Sequence, residues 1–555
     1  MTKMTGKEAL MELLKNEGVE YIFGIPGATE VIFMEALEKY PEMKYILGLN
    51  EVVCAGAAEG YARVSGKAGV LNLHTSPGVA AAMPMLYNAC QGGVPLVITA
   101  GQQDTRLLLR EPALSGDLVG MARHFSKWST EVLYADDIPV AVQRAFKVAK
   151  QPPTGPVFIS LPQDVLEQNL DFECTPGTPV YSQLRPDTQA VQRAIELLVK
   201  SKSTIIILEN GITRNEALSE VVMFAELTGA RVYQPWMSDM NFPVNHPQYI
   251  GDIDPSNPQT VEILKSADVL VVIGCPLFSQ AIYQPEPVIA ETTNVIQIDD
   301  NPWEIAKNFP IAVGIQGNIK TSLTELCNLL QTSTPANAKQ AAESRVKAIT
   351  GEKEALNNAF SNKAEDEKDN IPISITRLMQ ELRDSIKPGT LVVDDCWSSS
   401  ATLRRTLPFA ESHSYQRARG GGSIGWGMPG ALGVKLAAPE HPVVAVCGDG
   451  SALWSIQSLW TASRYNIPVT YIINVNQSYR QVKIMRKMIL GAGKLNEKRP
   501  GMDLDEPSVN FSQLAQSMGV QGYRVERPDE LGDTLKTAFD SNRPGLVEVY
   551  VENTP

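Results

Sequence analysis

The sequence has no apolar run of the ~18–20 residues that a bilayer crossing needs. Its first residues, Met1-Thr-Lys-Met-Thr-Gly-Lys-Glu, contain no apolar signal core. It also has no C-x-x-C motif. The 7 cysteines (54, 90, 174, 275, 327, 396 and 447) are scattered, and those at 275 and 447 lie in apolar runs, where a free cysteine acts as a small hydrophobe. A reduced, cytoplasmic setting is therefore expected. Basic charge is scarce, with 49 Lys and Arg against 62 Asp and Glu and a net charge of −13. That balance argues against a nucleic-acid groove or an anionic membrane surface. No apolar run leads into G-x-G-x-x-G with an acidic residue ~20 positions later, which places an NAD-dependent dehydrogenase last among the candidates.

What is present is length and alternation. A chain of 555 residues exceeds one hydrophobic core, and domains of ~150–200 residues give three units. Thr5 is placed to cap a helix that carries Leu10, Leu13 and Leu14 on one face. Apolar runs at 20–23, 69–73, 95–99 and 156–160 alternate with helical segments. A second set lies at 204–208, 268–273 and 294–298, and a third at 390–394, 443–447, 469–474 and 546–551. β-rich runs between helices predict an α/β protein with three doubly wound parallel-sheet domains. Thr175-Pro-Gly-Thr-Pro reads as a linker, and the polar stretch from 330 to Asn370 as the second boundary. The expected domains are 1–180, 181–340 and 365–555.

The most informative segment is Val443-Val-Ala-Val-Cys-Gly448-Asp449-Gly450-Ser451, followed by a helix expected through about Tyr465, a strand, and Asn476-Gln477-Ser478. A right-handed βαβ unit brings Asp449 and Asn476 to one sheet edge. Carboxylate, amide and carbonyl or hydroxyl oxygens there suit Mg²⁺, so Asp449, Asn476 and Ser478 are the metal candidates. The helix N-terminus after Gly450 favours a diphosphate, with Gly448, Gly450 and Ser451 around it. A lone G-D-G is often only a turn. With Asn476 in place, the segment resembles the thiamine-diphosphate motif, although that motif usually has two adjacent asparagines where this chain has Val475-Asn476.

Further motifs strengthen the resemblance. Phe23-Gly24-Ile-Pro26-Gly27, Asn50-Glu51 and Glu59-Gly60-Tyr61-Ala62-Arg63 occur in the order seen in thiamine-diphosphate-dependent decarboxylases and acetohydroxyacid synthases, over essentially the whole chain. By itself, Glu51 at a helix start could simply complement the helix dipole. The Ala/Gly run after it allows close helix packing. The resemblance implies pyrimidine-binding, central nucleotide-fold and diphosphate-binding domains, thiamine diphosphate and Mg²⁺ as cofactors, and Glu51 as the residue that relays a proton to the cofactor's pyrimidine ring. It also implies a homodimer or homotetramer whose sites lie between chains. Pro26 and Gly27 are implied near the cofactor. In Gly420-Gly-Gly422-Ser-Ile424-Gly-Trp, the Gly422 carbonyl and the Ile424 side chain would hold the cofactor bent. Asp395, Trp397 and Ser398 precede that loop and are expected to approach it.

Within the family, Leu71-Asn-Leu-His74, Thr99-Ala-Gly-Gln-Gln103, Lys127-Trp-Ser and Leu459-Trp-Thr-Ala-Ser-Arg-Tyr-Asn-Ile-Pro468 resemble benzoylformate decarboxylase. His74 is expected in a loop facing the substrate, where an imidazole handles protons near neutral pH. Ala28, His74, Gln103 and Ala281 are the substrate candidates. Two departures matter: the decarboxylase has a serine where this chain has Ala28, and a second catalytic histidine where this chain offers Ala281. Both point away from benzoylformate and toward a smaller or different 2-oxo acid or aldehyde, with ligation competing with aldehyde release. The Met/Ile stripe after Tyr479 reads more readily as core than as pocket, although it directly follows the metal loop, where family members line the substrate channel. Arg480 reads as a solvated arginine, with a substrate carboxylate as its other partner. Two alternatives stand beside this reading. One is an acetolactate synthase-type transferase, with FAD possible but signalled by no motif. The other is a non-catalytic subunit that retains the fold.

Overall fold

Unbroken apolar strands can be buried on both faces, and the chain uses them in three sheets of six strands each. The computed structural model describes residues 2–175, 180–278, 283, 285–418, 421–491 and 500–553. The first sheet runs Lys44–Leu47, Tyr21–Gly24, Gly69–Leu73, Leu96–Gln102, Val157–Pro162, Trp128–Glu131. The second runs Tyr249–Ile253, Arg231–Pro235, Thr204–Leu208, Val269–Ile273, Asn294–Asp299, Val313–Gln316. The third runs Tyr415–Arg417, Leu391–Asp395, Val443–Gly448, Val469–Val475, Gly545–Tyr550, Gln521–Val525. Every pairing inside these sheets is parallel. Strand order reverses near the middle of each sheet, which is the doubly wound pattern and leaves a crevice at the carboxyl edge. The protein is thus an α/β fold of three parallel-sheet units. No helix among the described residues is long and apolar enough to cross a membrane.

The first and third units are joined by two helices rich in small residues. A Cβ on Gly433, in helix Gly427–Ala437, would lie 1.9 Å from the Ala57 carbonyl oxygen of helix Glu51–Ser65. A Cβ on Gly60 would lie 2.1 Å from the Gly430 carbonyl. Backbones that close leave no room for a methyl group, so the Ala/Gly run serves the tight packing that its composition predicts. One apolar core continues across this crossing, and another spans the second and third units.

Buried charge ties all three units together. Arg63 pairs with Glu59 at 2.6 Å and approaches Asp239 at 3.6 Å. Arg63 also donates to the Arg417 carbonyl, the Arg417 N–H donates to Asp239 at 2.9 Å, and Arg417 pairs with Asp394 at 3.1 Å. Removing one partner of such a buried set costs ~3–5 kcal/mol, because a charge is left uncompensated.

Several expectations need correcting. The segment after Gly448 is two helices, Asp449–Trp454 and Ser458–Arg464, because the backbone leaves the helical region at Ser455 (φ −142°, ψ 26°). The polar stretch after 330 folds as the helix Ala336–Asp366, which buries only Ala342, Ile349 and Ala364. It straps the central unit: Arg345 donates to the Thr228 carbonyl and Lys353 to those of Val244 and Tyr249. Strands Trp128–Glu131, Tyr249–Ile253, Val313–Gln316, Tyr415–Arg417 and Gln521–Val525 have no apolar run to announce them. They are edge strands, paired on one side only. Arg231–Pro235 is short and mixed in composition although it lies inside its sheet. Of the expected linker, residues 176–179 lie outside the described residues.

Candidate active site

The candidate residues lie at two carboxyl edges. At the first sheet, strand Tyr21–Gly24 leads into Pro26-Gly27-Ala28, Lys44–Leu47 into Glu51, Gly69–Leu73 into His74, and Leu96–Gln102 into Gln103. His74 is not in a loop. It is the N-cap of helix Thr75–Gly92, with its side chain 21 % exposed. A Cβ on Gly27 would lie 2.1 Å from His74 Nδ1, so only glycine lets the ring pack there. Beneath the ring is Glu30, 1 % exposed. Glu30 Oε2 is 2.7 Å from His74 Nδ1 and accepts the Gly27 N–H at 2.9 Å. Glu30 Oε1 accepts the Thr29 hydroxyl at 2.8 Å and the Gly101 N–H at 2.9 Å. Glu51 opens helix Glu51–Ser65, which Asn50 caps by accepting the Val52 N–H. The Glu51 carboxylate borders the first turn after His74, where a Cβ on Gly78 would be 3.3 Å from Oε1.

At the third sheet, strands Leu391–Asp395 and Val443–Gly448 flank the crevice. Asp449 is 4 % exposed. Burial pushes its carboxyl up to about 6, against the Gly450 and Gln477 N–H groups that donate to it. The Gln477 N–H reaches Asp449 Oδ2 at 2.5 Å and closes the two loops on each other. Asn476 Oδ1 accepts the Ser478 N–H at 3.0 Å, and the Ser478 hydroxyl donates to Asn553 at 2.6 Å. Ser478 therefore shapes the Asn476 amide while its own hydroxyl is engaged elsewhere. Ser451 is buried in the first turn of the Asp449–Trp454 helix, and Gly450 packs under the Tyr479 ring.

The loop bearing Gly422 and Ile424 is held from three sides. Asn88 accepts the Ser423 N–H and donates to the Ser423 carbonyl, both at 3.0 Å. Asp395 Oδ2 accepts the N–H groups of Gly425 (2.9 Å) and Gly427 (3.1 Å), and Oδ1 accepts the Trp397 indole N–H at 2.9 Å. Burial pushes the Asp395 carboxyl up to about 7, and those three donors oppose it. The Trp397 ring lies 3.5 Å from where a Cβ of Gly422 (φ +66°) would sit. Ser398 is half-buried beside it.

A cavity of about 620 Å³ opens between the units, bordered by Trp236, Asp299, Trp397, Ser398, Arg404 and Met485. Ile484 and Met488 also line it, so the Met/Ile stripe faces space rather than core. Arg480 is half-buried rather than solvated: burial lowers its pKa, with the nearby Glu552 opposing.

The structure brings Gly27, His74 and Glu51 to one edge, and Gly448, Asp449, Gly450, Ser451, Asn476, Ser478, Trp397, Ser398, Gly422 and Ile424 to the other. Pro26 and Ala28 are exposed. Gln103 is turned into its own loop, donating to the Ala113 carbonyl at 2.9 Å. Ala281 and Gly420 lie outside the described residues. Glu30 and Asn88 had no place in the sequence reading, since neither spacing nor composition marks them. The near-adjacency of Glu30 to Pro26-Gly27 is the one signal that could have drawn attention to it.

The residues fit the group that the resemblance implies. Asp449 and Asn476 offer hard oxygens with lone pairs left over, and a Cβ on Gly448 would meet nothing nearer than 3.9 Å, which leaves room for a diphosphate. Among the described residues no cluster of three or more His, Cys, Asp or Glu is arranged for a metal.

Comparisons with known proteins bear on the family. Family models of the thiamine pyrophosphate enzymes match residues 4–122 (N-terminal TPP binding domain), 191–326 (central domain) and 398–549 (C-terminal TPP binding domain). A benzoylformate decarboxylase of Pseudomonas aeruginosa is 30% identical, covering 98% of this chain and 98% of its own. An acetolactate synthase large subunit of Haemophilus influenzae is 28% identical over 100% of this chain and 96% of its own. The solved thiamine diphosphate-dependent 4-hydroxybenzoylformate decarboxylase of Rhodococcus jostii superposes with a TM-score of 0.86 at 27% identity, covering 99% of each chain.

Proposed function

The chain belongs to the thiamine pyrophosphate enzymes, as a thiamine-diphosphate-dependent member of their decarboxylase and synthase group, and on that premise we propose that it decarboxylates a small 2-oxo acid. The product then takes either a proton, giving an aldehyde, or a second carbonyl, giving a hydroxyketone. The observation that carries this reading is the buried oxygen set of Asp449 and Asn476, which the Gln477 amide closes at the third sheet's carboxyl edge.

In this reading Asp449 and Asn476, with an oxygen from Ser478, hold Mg²⁺ and through it the diphosphate. Gly448, Gly450 and Ser451 leave room and polar groups for the same end. When bound, thiamine diphosphate supplies the electron sink for breaking the bond beside the carbonyl. Glu51 moves a proton at the pyrimidine ring. The Gly422 carbonyl and Ile424 would help hold the cofactor, with Trp397, Ser398, Pro26 and Gly27 nearby. His74 holds or delivers a proton at the substrate, beside Ala28, Gln103 and Ala281. The complete site is made by two chains, Glu51 from one protomer and Asp449 from its partner, in a cytoplasmic homodimer or homotetramer with domains at 1–180, 181–340 and 365–555.

Alanine at 28, where a polar group would meet a substrate carboxylate, favours a second reading, the acetolactate synthase type. Both readings face one experiment. Protein reconstituted with thiamine diphosphate and Mg²⁺ is given pyruvate, glyoxylate, branched-chain and aromatic 2-oxo acids, and CO₂ and product masses are followed. Free aldehyde supports the decarboxylase and acetolactate the synthase. Cofactor binding without CO₂ from any acid sinks both. The visible absorbance of an oxidised flavin in the purified protein decides FAD.

A further inference from the structure

Glu30 is a buried carboxylate that the proposed chemistry does not use, yet it touches a residue that the chemistry needs. We propose that Glu30 is the positioning residue of His74: its carboxylate accepts the Nδ1 proton, fixes the ring, and leaves Nε2 as the nitrogen with a free lone pair toward the crevice. This rests on His74 as the proton-handling group at the substrate.

The proton can be placed by elimination. A carboxylate only accepts, and three of the four groups around Glu30 are donors: the Gly27 N–H, the Gly101 N–H and the Thr29 hydroxyl. The fourth is His74 Nδ1, 2.7 Å from Oε2. Thr29 Oγ1 is also 3.1 Å from Nδ1, but its one hydrogen is on Glu30 Oε1, so it faces the ring as an acceptor. Were Thr29 to donate to Nδ1 instead, a bare nitrogen would face a carboxylate oxygen lone pair to lone pair. With acceptors on both sides, Nδ1 carries the hydrogen.

The ring is also fixed in place. Glu30 is anchored by backbone amides from two different places, Gly27 in the loop after strand Tyr21–Gly24 and Gly101 near the end of strand Leu96–Gln102, and the absent Cβ of Gly27 leaves the slot in which the imidazole lies. A histidine that merely filled space would need neither the carboxylate nor any exposure; His74 has the carboxylate and keeps 21 % of its side chain exposed. A buried carboxylate that orients an imidazole and sets its tautomer is how general bases are tuned.

The test uses the full-length protein labelled with ¹⁵N-histidine. Magic-angle-spinning NMR reads the protonation of each ring nitrogen, and His74 is identified among the 5 histidines by its loss in His74→Asn. The wild type is expected to show a protonated Nδ1 and a bare Nε2. In Glu30→Gln the Nδ1-protonated form should give way, and kcat should fall on the order of 10²-fold with KM nearly unchanged. A bare Nδ1 in the wild type overturns the proposal whether or not the variant folds. So does a Glu30→Gln protein with the wild-type tautomer and wild-type kcat. A shifted tautomer with unchanged turnover supports Glu30 as the positioning residue and removes His74 from the reaction.

Discussion

The first and third sheets present the same kind of edge, and they use it differently. At the first, the polar groups are matched to one another: Glu30 accepts from Gly27, Thr29 and Gly101 and binds His74, in a slot only glycine leaves open. At the third, the oxygens are gathered but not used up. Asp449 takes two backbone amides, Asn476 Oδ1 takes Ser478, and space stays open at Gly448. One edge is matched within itself, and the other keeps oxygens and space that the proposed cation and diphosphate would use. Parallel sheets put both at carboxyl ends, and side chains decide which each becomes.

The largest effects should come from breaking each edge separately. Asp449→Ala is expected to abolish Mg²⁺-dependent cofactor binding, read by titration calorimetry, and activity with it. Glu51→Gln should keep the cofactor and lose ~10²–10⁴-fold in kcat, the usual worth of a positioned proton relay. Mixing the two inactive proteins then tests whether edges from different chains combine. In a head-to-head dimer of one Glu51→Gln chain and one Asp449→Ala chain, one site carries both lesions and the other carries neither. Activity returning after refolding the mixture means shared sites; none returning means each chain completes its own.

Smaller effects separate device from scaffold through two glycine substitutions. Gly433→Ala puts a methyl 1.9 Å from the Ala57 carbonyl, backbone against backbone, and should lower stability by ~1–3 kcal/mol or more by denaturant unfolding. Gly27→Ala meets the His74 imidazole, a side chain that can swing away. It should leave the unfolding midpoint nearly unchanged and lower kcat about tenfold or more as the ring leaves Glu30. A Gly27→Ala protein that unfolds early but turns over normally would make that edge scaffold rather than device.

The reach of the sequence divides along the same line. The buried central strands and the G-D-G with Asn476 are local patterns. They are legible because a parallel strand is apolar along its whole length and its carboxyl end places the next few residues at the ligand-binding edge. Glu51 is legible as a helix start, and its role only through resemblance. Glu30, Asn88 and the Arg63–Asp239–Arg417–Asp394 set are not legible, because each works through a partner dozens or hundreds of positions away. The Ala336–Asp366 helix reads as a boundary because it buries so little that its composition resembles a linker.

The last expected effect is a slope with pH. Glu30 has four polar partners, whereas Asp395 accepts from Trp397, Gly425 and Gly427, and burial pushes its carboxyl up to about 7 from 3.8. Between those values the folded protein keeps a proton on Asp395 that the unfolded chain has released. Stability from this group is therefore greatest below 3.8, falls as pH rises toward 7, and levels off above it. One such group contributes at most about 1.4 kcal/mol per pH unit. Asp395→Asn carries no titrating group, so the stability difference between wild type and variant should shift against the wild type across that interval. Urea midpoints measured on both proteins at several pH values read the difference. A difference constant with pH would mean that the three donors hold the charge on Asp395 as well as water does.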